Sequence, residues 1–212
     1  MIDRDHPTLI RLPRQLRGER VVLRPLAPGD GAFLFAAVDA SRDHLRAWLP
    51  WVDAHKTVDD SEHYCRQSAA RWLLRDELSF GLFTPAGALV GGVGLVRFDL
   101  EVGAFEVGYW LRTDAQRAGR VREAVALVTS LAFEMLDAAR VAIHCDRENE
   151  RSAAVPRALG FVHEATLRRD RLDHLGRHAD TLVFAMTLAD YERCTFRESA
   201  SAVVAIASDD GC

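Results

Sequence analysis

The run "FEVGYWL" (105–111) leads through an arginine-rich loop into "VREAVALVTSLAFEML" (121–136), and the chain then reaches "RVAIHC" (140–145). The first and last runs have β-type composition. The segment between them carries Val121, Val125, Val128, Leu131, Ala132, Met135 and Leu136 three or four residues apart, which predicts a helix with one apolar stripe. A strand, a covering helix and a second strand make a β-α-β crossover, the connection that parallel neighbours require. The junction "DAQRAGRVREA" (114–124) has one glycine and no proline. It presents the unpaired N–H groups and positive dipole end of a helix start, a place suited to an anion.

The flanking segments complete the layout. "RVVLRPL" (20–26) reads as a short strand, a helix starts near Asp30, and 41–50 reads as a short helix stopped by Pro50. "EHYCRQSAARWLLRDE" predicts a longer helix with Tyr64, Ala69, Trp72 and Leu73 near one face. Between 79 and 111, β-rich runs separated by the turns "TPAG" and "DLEVG" predict a three-strand antiparallel meander. "NERSAAVPRALGF" predicts a short helix ending at Gly160, and "DTLVFAMTL" (180–188) a final strand. The order predicts an α+β fold, a mixed sheet covered by helices. Expected boundaries are an N-terminal extension over 1–14, one domain over 15–192 and a small-residue tail over 193–212.

Composition removes several function classes. A formal net charge of -4 argues against a general nucleic-acid binder. Lys56 is the only lysine, so lysine-based covalent chemistry would have to rest on it. Cys65, Cys145, Cys194 and Cys212 form no CxxC pair, and no apolar run approaches the roughly 20 residues of a membrane span. The expectation is a cytoplasmic protein. His174 and His178 flank Gly176 with no cysteine nearby, so they read as loop histidines and no metal is expected.

Four stretches in this order, "RGERVVLRPLAPGD", "LRAWLPWVD", "FEVGYWL" and "NERSAAVPRALGF", resemble the GNAT acyltransferases, and within them the RimJ/RimL-type ribosomal-protein N-terminal acetyltransferases, over roughly 15–192. The resemblance implies a mostly antiparallel sheet flanked by helices, acetyl-CoA as cofactor and an amine acceptor, a protein N-terminus or a small molecule. The family's pyrophosphate loop maps onto Gln116, Gly119 and Val121, so the N–H groups around Arg117, Ala118, Gly119, Arg120 and Val121 would hold the coenzyme A pyrophosphate. Glycine at 119 admits close approach. Val121 replaces a small residue and is expected to crowd the phosphate or push the loop outward, with Arg117 or Arg120 offsetting this by direct contact. A nucleotide loop of Walker type is excluded by its missing glycine pair and lysine.

By the same resemblance, the backbone of Leu111 and Thr113 would pair with the pantetheine arm, Asn149 would lie near the cofactor and Ser152 near the departing sulfur. Asn149 or Ser152 could equally cap the short helix. Glu106, a carboxylate in an apolar strand, reads as a base acting through water or a binder of the substrate ammonium; an outward-facing residue or a structural ion pair is the plain alternative. Trp48 and Trp51 are candidate walls of the acceptor site, and Trp72 reads as a core or rim aromatic. "DTLVFAMTL" and the tail's "AVVAIA" could pair between chains, which would make a homodimer. The alternative function is a catalytically silent acyl-CoA-sensing or protein-interaction module, favoured by Val121.

Overall fold

The computed structural model describes Ile2, residues 4–201 and Val204. In chain order it contains β1 (Leu16–Arg17), β2 (Val22–Pro25), α1 (Gly31–Asp39), α2 (Arg42–Arg46), α3 (Val58–Leu74), β3 (Leu78–Phe83), β4 (Leu89–Asp99), β5 (Ala104–Leu111), α4 (Arg120–Met135), β6 (Arg140–Asp146), α5 (Glu150–Ala158), β7 (Val162–Leu172), β8 (His178–Thr187) and α6 (Leu188–Tyr191). The strands form one sheet in the order β1-β2-β3-β4-β5-β6-β8-β7. The β5–β6 step is parallel, as the crossover requires, and the other paired neighbours run antiparallel. The expected meander is β3, β4 and β5.

Local chemistry explains the element ends. Thr57 and Asp60 form a reciprocal capping box that starts α3, Thr57 Oγ1 accepting from the Asp60 amide at 3.1 Å. Helix α2 stops at Arg46, short of Pro50, because the residue before a proline is pushed out of the helical region; Pro50 instead opens a 310 turn, Pro50–Ala54. Helix α5 ends where Gly160 takes a φ of 81°.

Packing departs from the sequence reading in four places. Helix α4 is buried on every side over Ala124–Phe133, not along one stripe. The sheet covers part of it, and Tyr191, Ala200 and Val204 join its cluster, with the Tyr191 ring stacked on Phe133 at 4.6 Å. Part of the expected tail is therefore packed: Phe196 rests on the core, and Ser201 Oγ donates to Glu134 Oε1 at 2.9 Å.

On α3 the buried residues are Ser61, Cys65 and Ser68, while Leu73 is exposed. Small residues face inward there because α1 packs against this side so closely that a Cβ on Gly31 would fall 2.6 Å from the Glu62 backbone.

Strand β7 was not expected. It is an edge strand with only exposed and half-buried residues, two register shifts and a left-handed Arg169 (φ 56°), so no period-2 pattern survives. It places β8 inside the sheet, so "DTLVFAMTL" has no free edge for a second chain. Most of "AVVAIA" lies outside the described residues.

Candidate active site

The β5–β6 ladder ends early. Ala104, Phe105 and Glu106 pair with Arg140, Val141 and Ala142, after which the strands diverge. On its other side β5 stays paired with β4 as far as Leu111, and the Arg112 amide donates to the Val90 carbonyl at 2.8 Å. Alternation along a strand turns the peptide groups of Val107, Tyr109 and Leu111 the opposite way, into the fork. This is the unpaired backbone expected to receive an extended ligand, but the Thr113 amide is not part of it, because it donates to Ser41 Oγ at 2.9 Å. The fork opens on a cavity of about 1170 Å³.

Gly119 is the N-cap of α4, with φ 72°, and Arg117 two residues earlier has φ 67°. These left-handed residues fold the loop so that no hydrogen bond among the described residues occupies the amides of 117–122. A Cβ at Gly119 would meet nothing closer than 3.9 Å, so the loop presents open space rather than packed protein. Arg120 Nη1 closes the loop on the Ala115 carbonyl at 2.9 Å and leaves its buried Nε without a partner. Arg117 and Arg122 line the cavity without an ion pair among the described residues. Unpaired amides, an orphaned guanidinium nitrogen and two free cations suit a pyrophosphate.

Val121 stands between the core and the loop. Its side chain is half-buried and packs against the main core, and the residue also lines the cavity. Gln116 Oε1 accepts from Arg151 Nη1 at 3.0 Å and its Nε2 lies 3.2 Å from His44 Nε2, so this side chain links α5 to α2 across the cleft mouth.

The head of α5 divides two roles. Asn149 Oδ1 accepts from the Ser152 amide at 3.1 Å, so Asn149 is the cap and Ser152 is not. Ser152 Oγ is freed for the cleft, where it donates to the Tyr109 hydroxyl at 3.2 Å; that hydroxyl donates to the Ser152 carbonyl at 2.8 Å. Burial pushes the Tyr109 hydroxyl pKa well up, so it keeps its proton. Cys145 beside them is pushed up to about 11 by burial, and its thiol is a poor nucleophile.

Glu106 stands at the fork itself, its side chain 20% exposed. Its Oε2 lies 3.2 Å from His144 Nδ1 and 3.8 Å from Arg97 Nε. Burial opposes its ionisation, but the hydrogen bond and charge of His144 with the charge of Arg97 outweigh this and hold the carboxyl below its usual pKa. His144 escaped sequence reasoning because one histidine in "RVAIHC" carries no spacing signal; its partner is 38 residues away in the chain.

Trp48 and Trp51 both line the cavity. Trp51 meets Trp110 edge-on at 5.7 Å and His55 at 5.4 Å, and His55 meets Tyr64 at 5.3 Å. Burial lowers the His55 pKa, more than Asp60 raises it, so this aromatic wall is neutral at pH 7. Trp110 was not singled out from sequence although it sits in "FEVGYWL". Trp72 packs edge-on against Phe80 at 4.7 Å, away from the cavity, as the plain reading had it. His174 falls in the β7–β8 turn and His178 opens β8.

A forked mixed sheet with an anion-ready helix start and an aromatic-walled cavity defines a group transferase for an extended, phosphate-bearing donor. Residues 20–162 match the family model described as "Acetyltransferase (GNAT) domain", and the chain belongs to that family. YdaF of Bacillus subtilis, whose name describes a ribosomal N-acetyltransferase, is 27% identical over 175 residues, covering 82% of this chain and 94% of YdaF. The crystal structure of a probable GNAT-family acetyltransferase from Chromobacterium violaceum superposes with a TM-score of 0.72 at 30% identity, covering 85% of this chain and 89% of that one. RimL, the ribosomal L7/L12 alpha-N-protein acetyltransferase solved with coenzyme A, has the same fold, with a TM-score of 0.77 at 18% identity over 83% of this chain and 99% of RimL. The protein is an acetyl-CoA-dependent N-acetyltransferase, and the RimJ/RimL-type resemblance read from its sequence holds.

Proposed function

We propose that the chain acetylates the N-terminal amine of a ribosomal protein in the cytoplasm. The observation that carries this is the fork: β5 and β6 part at Glu106, directly beneath a cavity walled by Trp48, Trp51 and Trp110. The name of YdaF supports a protein amine as acceptor. No helix among the described residues is long and apolar enough to cross a membrane.

Acetyl-CoA supplies a thioester whose carbonyl the amine attacks directly. The amides of Arg117–Val121, with Arg117 and Arg122, hold the pyrophosphate. The peptide groups of Tyr109 and Leu111 align the pantetheine arm, and an N–H in the fork polarises the carbonyl. Ser152 Oγ, held by Tyr109, delivers a proton to the departing sulfur. The aromatic wall excludes water and orients the acceptor. The silent-module alternative is not favoured, since the curated relatives carry the name N-acetyltransferase.

The test is thiol release from acetyl-CoA with peptides bearing N-terminal serine or alanine, against the same peptides with blocked N-termini. Turnover confined to free N-termini is the expected result. Turnover of small amines alone would overturn the protein-acceptor reading.

A further inference from the structure

We propose that His144 is the group that takes the proton from the acceptor amine, and that Glu106 is a positioning residue for it. This rests on the acetyltransferase reading above.

Geometry makes the case. Glu106 on β5 and His144 on β6 are brought together where the parallel ladder has just ended, and both line the cavity. With Nδ1 3.2 Å from Glu106 Oε2, a neutral ring donates its Nδ1–H to the carboxylate. The lone pair is then on Nε2, which no hydrogen bond among the described residues engages. A carboxylate that fixes a histidine tautomer in this way presents the opposite nitrogen as a proton acceptor. Glu106 suits this role better than that of a base, because the His144 hydrogen bond and the Arg97 charge favour its ionised form.

Charged groups face the pair from several elements. From β4, Arg97 faces Glu106. Two residues along β6, Asp146 is bound by Arg171 of β7, and Asp170 of β7 also lines the cavity. β8 places apolar Val183 opposite His144, and α5 contributes Arg151 with the neutral Asn149 and Ser152.

The step balances without a further reagent. The amine nitrogen bonds to the thioester carbonyl carbon, and its proton passes to His144 Nε2, directly or through one water. As the carbon–sulfur bond breaks, Ser152 Oγ gives its proton to the sulfur. His144 returns a proton to Ser152 through solvent, which restores both groups.

Two measurements on the full chain test this. With the serine- and alanine-terminated peptides, His144→Gln should lower kcat about a hundredfold or more and flatten the acidic limb of the pH–rate profile, leaving the acetyl-CoA thermal shift intact. Glu106→Gln should lower kcat less and keep an acidic limb. Independently of turnover, nitrogen-15 NMR of the imidazole should show neutral His144 protonated on Nδ1, changing towards Nε2 in Glu106→Gln. An Nε2–H tautomer in the unmodified protein, or full kcat in His144→Gln, would overturn the proposal. If no peptide turns over, the protein-acceptor reading fails, and the tautomer alone decides the pair.

Discussion

The indole of Trp110 lies over the backbone of Gly92, so close that a Cβ there would come within 2.5 Å of Nε1. Gly92 and Trp110 are cross-strand partners on β4 and β5, and the missing side chain leaves room for the ring that meets Trp51 edge-on. Gly92→Ala should therefore displace Trp110 from the acceptor wall. The expected outcome is a raised KM for the peptide acceptor with acetyl-CoA binding unchanged, read by steady-state kinetics and calorimetry. An unchanged acceptor KM would remove Trp110 from the wall.

The anion loop makes its own prediction. Acetyl-CoA should raise Tm by ligand linkage, and Gly119→Glu should abolish the rise by placing a carboxylate against the phosphates and a side chain at a φ of 72°. Val121→Gly should not tighten binding, because the valine, though it lines the cavity, packs against the core and so anchors the start of α4. Tighter binding in Val121→Gly would show that the side chain crowds the phosphate after all.

Asn149 and Ser152 should separate cleanly. Asn149→Ala removes a helix cap and should cost about 1 kcal/mol of stability. Ser152→Ala should leave stability nearly unchanged and lower turnover, since its amide, not its hydroxyl, serves the cap. Denaturant melts beside steady-state rates distinguish the two, and equal stability losses would contradict the division.

Acid stability should depend on Asp30. Burial disfavours its charge, but bidentate hydrogen bonds from Arg24 at 2.7 and 2.8 Å and one from the Ala27 amide outweigh this and hold its pKa below the usual value. A carboxyl depressed in the folded state stabilises above its unfolded pKa and loses that contribution as pH falls through the folded one. Asp30→Asn should thus destabilise by about 2 kcal/mol at neutral pH, and the difference should shrink below about pH 4. A pH-independent difference in urea melts would assign the effect to hydrogen bonding alone.

Ending the chain after Thr195 should lower Tm by several degrees, since it removes Phe196, Ala200 and Val204 from the cluster around α4. The acetyl-CoA shift should survive, because these residues pack near Phe133 and Glu134, at the far end of the helix from Gly119. Loss of the shift on truncation would show that the segment supports the loop.

What the sequence determined was local or periodic. The apolar spacing from Val121 to Leu136 and the flanking β-type runs were enough for the crossover, and Gly119 before that helix marked the anion loop, because backbone propensity and periodicity act over a few residues. The turns at "TPAG" and "DLEVG" set the meander for the same reason. Tertiary structure decided what depends on distant partners. It packed Val121 against the core at the edge of the cavity, gave the Thr113 amide to Ser41, buried α4 beneath residues near the C-terminus, and added the edge strand β7, whose exposed faces carry no hydrophobic period. It also joined Glu106 to His144: neither residue signals the other in sequence, and only the parallel pairing of β5 with β6 brings the carboxylate and the imidazole within 3.2 Å.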